Sequence, residues 1–211
     1  MKLILAFTAF LSAIALISAD LECSIPLDEK AEIPQGWINM TKVCTNALKK
    51  QIQTEIGASY EYLEMAAYFS QDIVNRPGFA EHFFKSAREE REHGLKLIEY
   101  LTMRGGDLQE GVHKLISVPY KEENYEIKFD GVSALKHAVE METAVTKSIR
   151  ALIETCESEN NDYHLVDYLT GVYLEEQLKG TRELAGKLTT LKKMQNSHGQ
   201  LAEFLFDKQL M

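Results

Sequence analysis

The chain has 211 residues, 45% of them hydrophobic, and a formal net charge of −9. That length supports one domain with a sizeable core. The acidity and the lack of a basic cluster argue against nucleic acid as a partner, and the scarcity of alternating runs argues against a sheet protein.

Residues 1–19 have the layout of a secretory signal peptide. Lys2 precedes the apolar run Leu3 to Ile17, and Ala19 offers a small residue before Asp20. A membrane anchor is the alternative, but the run is short of the ~20 apolar residues that span a bilayer. The mature chain is expected to begin near Asp20, in the secretory pathway or outside the cell, with no membrane attachment after cleavage. Residues 20–40 form an extension with little helical pattern. It carries Cys23 and the sequon Asn39-Met40-Thr41, which is usable in that compartment.

Residues 41–211 read as all-α. The first helix is expected from about Thr41, a plausible cap, to Gln71, where NRPG (75–78) stops it. The second runs from about Gly78 to Arg104 and ends at Gly105-Gly106. A long connection follows over 107–129, too long for a tight turn. The third helix spans about Gly131 to Glu157. A turn at SENND (158–162) leads to the fourth, about Tyr163 to Met194. After QNSHG (195–199), a short amphipathic piece with Leu201, Phe204, Leu205 and Leu210 closes the chain. Helices this long reach ~40 Å at 1.5 Å per residue. Short first and last links with a long middle one give a four-helix bundle with one crossover.

Each helix carries a polar residue of ligand type on its apolar stripe. In the first, Glu55 sits among Ile52, Ser59, Leu63 and Ala66, with Tyr62 one heptad on. In the second, Phe83, Ser86, Glu90, His93 and Leu97 share one face. In the third, Glu142 lies seven residues from both Leu135 and Ile149, beside Val139 and Leu152. In the fourth, the stripe is Leu165, Leu169, Val172 and Glu176, with Gln177 next to it. No lysine or arginine lies on these stripes. One buried carboxylate is costly, and four helices each bearing such a group call for a cation. Residues i and i+3 share a helix face, so Glu90 and His93 can reach one ion. Carboxylates with one imidazole suit iron or manganese better than structural zinc. YLEEQLKG (173–180) offers Glu176 and Gln177 but no second histidine. The second metal position is therefore weakly held, which suits an ion that must leave.

The stretches QIQTEIGASYEYLEMAAYF, EEREHGLKL, VYLEEQL and LAEFLFDKQL resemble ferritins of the heavy-chain type, over roughly Thr41 to Leu210. The leader and cysteines resemble the secreted ferritins of insects. The resemblance implies a ferroxidase centre: Glu55, Glu90 and His93 at a first iron, Glu90 bridging to a second held by Glu142, with Tyr62 and Gln177 beside them. It implies oxidation of Fe(II) by O2 and mineral storage inside a cage of twenty-four homologous subunits, a light chain among them. Glu89 and Glu92 match nucleation positions, while the third such position is Leu95. Asp167 matches one acidic ring of the three-fold channel, and Thr170 departs from the second. Two other readings stand beside this one. A di-iron oxidase or electron-transfer bundle would want the missing histidine. A non-catalytic cage subunit would have lost Glu55, Glu90 or His93, and all three are intact.

Met65, Met103 and Met141 read as core filler, and His82, His113, His137, His164 and His198 as surface or packing residues. Three cysteines suggest one internal bridge and one link to another chain. The bundle topology puts Cys44, near the start of the first helix, at the same end as Cys156, near the end of the third. An intrachain Cys44–Cys156 bridge is expected if their Cα atoms come within ~4.4–6.8 Å. Cys23 is then left for a neighbouring subunit. The short C-terminal piece is expected to cover its apolar side against symmetry mates along a cage axis.

Overall fold

The structure, a computed structural model, describes residues 38–106, 108, 111–115 and 129–211. The leader, Cys23 and most of the 107–129 connection lie outside the described residues. Helix α1 (Lys42–Ser70) starts at Thr41, whose side chain accepts a hydrogen bond from Cys44 N. Thr41 thus satisfies one of the donors every helix start leaves open. A turn with Asn75 at φ 49° reverses the chain, and Pro77 opens α2 (Pro77–Met103). Gly105 at φ 74° then carries the backbone out of α2, a conformation that glycine adopts without a Cβ clash. After the 3₁₀ turn Val112–Lys114, α3 (Gly131–Asn160) begins on a reciprocal cap between Asp130 and Ser133.

The fourth rod is not one regular helix. It comprises α4 (Tyr163–Tyr168), a π-helical segment (Leu169–Leu174) and α5 (Glu175–His198). Gly199 precedes the short α6 (Leu201–Leu210). Helix α3 also runs through Asn160, so the expected turn at 158–162 shrinks to Asn161, in the left-handed region, and Asp162, the cap of α4.

Two apolar clusters fill the bundle. One holds Cys44, Leu48, Leu97, Leu101, Leu152 and Leu165, and the other holds Phe69, Phe79, Phe83, Leu135, Leu184 and Leu191. Helices α2 and α3 both run from the second cluster toward the first, while α1 and the fourth rod run the opposite way. The long connection is thus an end-to-end crossover between parallel helices. At one end, Arg104 pairs through both terminal nitrogens with Asp162, at 2.9 Å each, tying the end of α2 to the cap of α4. There too Cys44 and Cys156 are bonded to each other, with Cα atoms 4.9 Å apart.

Four sequence expectations fail in detail. Leu63 is 45% exposed, because the stripe of α1 is centred on Ile52, Glu55, Tyr62, Ala66 and Phe69 and leaves Leu63 at its margin. Met103 ends α2 and is 55% exposed rather than core. On the fourth rod Val172 and Glu176 are exposed at the margin of the stripe, while Tyr173 and Gln177 are buried. The cause is the π segment: bonding from i to i+5 widens the turn, and the inward stripe slips one residue along the sequence.

Candidate metal centre

On α2, α3 and the fourth rod the polar residues fall between the two apolar clusters. Glu90 and His93 separate Ala87 from Leu97, Glu142 separates Ala138 from Val145, and Gln177 separates Tyr173 from Leu184. Glu55, Glu90, His93, Glu142, Gln177 and Tyr62 are all buried. Ligand atoms of Glu55, Glu90 and His93 lie within 4.8 Å of one another, so these three offer a ready set for a metal ion. Gly94 lies beside them, where a Cβ would stand 2.7 Å from Ile56 Cδ1 and make that side chain shift.

Glu55 Oε1 accepts a hydrogen bond from Gln51 Nε2 at 2.8 Å. Glu55 Oε2, Glu90 Oε2 and His93 Nδ1 have no hydrogen-bond partner, although His93 Nδ1 stands 3.5 Å from Glu90 Oε2. Buried polar atoms normally find partners, so three converging orphans fit a cation-binding set. Burial, then the neighbouring Glu90, drives the Glu55 carboxyl well above the usual range. Burial and the charge of Glu142 push Glu90 up to about 8. Glu142 is also raised by burial, against the pull of hydrogen bonds from Tyr62 and Gln177. Burial and the neighbouring carboxyls thus disfavour the ionised forms, a cost that a bound cation would offset.

The Tyr62 hydroxyl donates to Glu142 Oε1. Thr146 donates to Gln177 Oε1 at 3.1 Å, which leaves the Gln177 amide nitrogen for Glu142. Three supporting residues escaped the sequence reading: Gln51, Thr146 and Tyr173. Gln51 sits four residues before Glu55, Thr146 four after Glu142, and Tyr173 four before Gln177. Inspecting the i±4 neighbours of each ligand would have found all three. Glu176 is half exposed, yet its Oε2 reaches 3.3 Å from His93 Nε2.

Glu89, Glu90, His93, Glu142, Glu176 and Gln177 share a cavity of about 600 Å³ open to solvent. Glu89 thus shares an opening to solvent with Glu90 and His93, and it is 3.5 Å from Lys85. Glu92 is exposed, paired with Lys96 at 3.0 Å, and does not line the cavity. Leu95 and Asp167 are exposed, and Thr170 turns its hydroxyl back onto the carbonyls of Val166 and Asp167.

A crossover bundle with a carboxylate–histidine cluster across its helices defines the ferritin-like class of metal-binding bundles. The chain belongs to the ferritin family: the family Ferritin, the ferritin-like domain, matches residues 45–194. It is 58% identical over 210 residues to a ferritin heavy chain of Drosophila melanogaster, covering 98% of each chain. To a ferritin heavy chain of Papilio xuthus it is 52% identical over 214 residues, covering 100% of this chain and 98% of the relative. Among solved structures, it is similar to the secreted ferritin of Trichoplusia ni. That likeness has a TM-score of 0.79 and 56% identity, covering 86% of this chain and 94% of the other.

Proposed function

We propose that the chain is the ferroxidase subunit of a secreted iron-storage ferritin. The observation that carries this reading is the buried trio Glu55, Glu90 and His93, with orphaned ligand atoms inside 4.8 Å. Fe(II) is the substrate and O2 the electron acceptor. Glu55 and His93 hold the first ion, Glu90 reaches both, and Glu142 with Gln177 holds the second.

Burial raises both the Glu55 and the Glu90 carboxyl, so iron binding, which favours their ionised forms, is coupled to proton release. Tyr62 fixes the rotamer of Glu142 by donating to it. Gln177 contributes no charge, so the second position binds weakly and lets the oxidised product go. Glu89, on the same cavity, is the next carboxylate that product meets and is the better placed of the two nucleation candidates. The homology to heavy chains supports assembly into a mineral-holding cage of homologous subunits, with a light chain among the partners. Cys23 is the thiol that would join such a partner. The signal-peptide layout and the likeness to a secreted ferritin support passage through the secretory pathway.

The test adds Fe(II) in air to purified full-length protein, follows oxidation by absorbance and inspects the product by electron microscopy. Fast oxidation and electron-dense shells are expected, with the fast phase lost in Glu90→Ala. An unchanged fast phase in that variant would overturn the assignment.

A further inference from the structure

A file of aromatic rings leaves the metal centre and ends at the surface. The His93 and Tyr173 rings have centroids 5.5 Å apart, and the Tyr173 hydroxyl donates to the His93 carbonyl at 2.9 Å. Tyr173 meets Tyr168 edge-on at 5.6 Å. Tyr168 lies parallel to Tyr100, 5.0 Å away and within 8°. Tyr100 stacks on His164 at 5.7 Å, and His164 is exposed. Tyr173 and Tyr100 are both nearly inaccessible to solvent. Phenylalanine would fill the same space without a hydroxyl to desolvate, so packing alone does not account for three phenols.

Two polar groups flank the Tyr100 hydroxyl, Arg104 and His164. Arg104 Nη1 lies 2.7 Å from the Tyr100 oxygen, and a guanidinium has only donors, so that oxygen accepts. With His164 in the tautomer that carries its proton on Nε2, the Tyr100 proton points at the bare His164 Nδ1, 2.8 Å away. Asp162 pairs with the same guanidinium, which balances the positive charge beside the ring. Tyr173, by contrast, gives its proton to a backbone carbonyl, a poor base.

We propose that Tyr173, Tyr168 and Tyr100 carry single oxidising equivalents from the metal centre to the surface, coming to rest on Tyr100 as its phenol proton passes to His164. This rests on the ferroxidase reading, which supplies the oxidant. Peroxide left by two-electron reduction of O2 needs two further electrons and two protons to become two waters. When only one Fe(II) is at hand, it gives one electron and becomes Fe(III), the second comes from Tyr100, and the two protons come from solvent water in the open cavity. Tyr100 becomes a neutral phenoxyl radical, and its proton goes to His164. An electron from a further Fe(II) or an enediol-type reductant at the surface, with the proton returned from His164, restores the phenol. The ring file thereby draws oxidising power away from the ligand His93. Each hop is between rings in contact, and electron transfer weakens steeply with separation.

The test uses the assembled full-length protein and two variants that keep the packing, Tyr100→Phe and Tyr168→Phe. Neither residue touches the metal ligands. Iron below the amount that fills the centres is added with hydrogen peroxide, samples are freeze-quenched, and tyrosyl radicals are read by electron paramagnetic resonance. Ring-deuterated tyrosine identifies the radical. The native protein should show a tyrosyl signal whose hydrogen-bond signature vanishes in Tyr100→Phe. In Tyr168→Phe the signal should fall to background, and peptide mapping should show oxidised His93 rising with turnover. Initial Fe(II) oxidation should match the native rate in both variants. The same radical in all three proteins, or native Fe(II) oxidation with no tyrosyl radical, overturns the relay and leaves the ferroxidase reading intact. Failure of the native protein to oxidise Fe(II) overturns both.

Discussion

Cys44 and Cys156 are separated by 112 residues of sequence, yet their Cα atoms are 4.9 Å apart. One lies in the first turn of α1 and the other near the end of α3, so their bond closes the loop that contains the whole crossover. Both are fully buried beside Leu48, Leu152 and Leu165. Replacing both with serine should cost about 3–5 kcal/mol, through the freed unfolded chain in the entropic account. Guanidinium unfolding of native and double-variant protein checks this. Equal midpoints would mean that the bond adds nothing to stability.

The Glu90 carboxyl, pushed up to about 8 by burial and by Glu142, makes the metal-free bundle sensitive to alkali. A carboxyl whose folded value lies above its unfolded one stabilises below the unfolded value and loses that contribution as pH rises through the folded one. The window therefore runs from the usual carboxylate range, near 4.5, up to about 8. Glu90→Gln keeps the shape and removes the ionisation. In chelator-treated protein it should be no more stable than the native chain at pH 4. It should gain stability toward pH 9, by roughly 1–3 kcal/mol, the order of cost of an unsatisfied buried group. Melting curves across that range report the crossing; parallel curves at every pH would count against the assigned burial cost.

Heptad spacing was enough to place Glu55, Glu90, His93 and Glu142 on inward faces, because α1, α2 and α3 keep the regular period over their whole length. It failed on the fourth rod, where a period of 3.6 residues selects Val172 and Glu176 and the π segment delivers Tyr173 and Gln177 instead. Gln177 was placed only beside that stripe, and its role at the second position came from its resemblance to the family glutamine. The disulfide was legible because it depends on which ends of the helices meet. The stacking of Tyr100 on Tyr168 was not, since it depends on the rotation of two helices about their own axes, which a stripe two or three residues wide does not fix.

His82 lines the cavity mouth, with Nε2 buried and unpartnered. Burial, and secondarily Lys187, holds its value down at about 4 from an ordinary 6.5. The unfolded chain binds the proton first, so stability falls as pH drops from 6.5 to 4, at most about 1.4 kcal/mol per pH unit for one proton. His82→Asn removes this linkage. Its acid-unfolding midpoint should lie at lower pH than that of the native chain, measured by circular dichroism on metal-free protein. A midpoint unmoved or raised would mean that His82 is protonated within the fold at no cost.

Helix α6 is held by the starts of two other helices. Asp207 Oδ1 accepts from Phe79 N at 3.0 Å, at the head of α2, and Glu203 accepts from Gly131 N at 2.9 Å, at the head of α3. Glu203 also pairs with Arg76 at 3.1 Å. Each carboxylate thus sits where a helix exposes its donors and the positive end of its dipole. The contact is so close that a Cβ on Gly78 would fall 1.9 Å from the backbone oxygen of Asp207. Gly78→Ala must push α6 outward, stretching the Asp207 and Glu203 bonds and opening the seat of Phe206. A loss of about 1–3 kcal/mol is expected, as for other overpacked sites. Gly57→Ala is the matched control, since nothing lies within 4 Å of its would-be Cβ and alanine favours the middle of α1. Leu201, Phe204 and Leu205 are half exposed on the single chain, so a displaced α6 should also disturb whatever covers them. Thermal melting and size-exclusion chromatography of the two variants, side by side, give the answer. Gly78→Ala should melt earlier and assemble less completely, while Gly57→Ala should melt no earlier than the native protein. A Gly78→Ala chain that melts and assembles like the native one would show that α6 does not rest on α2 as described.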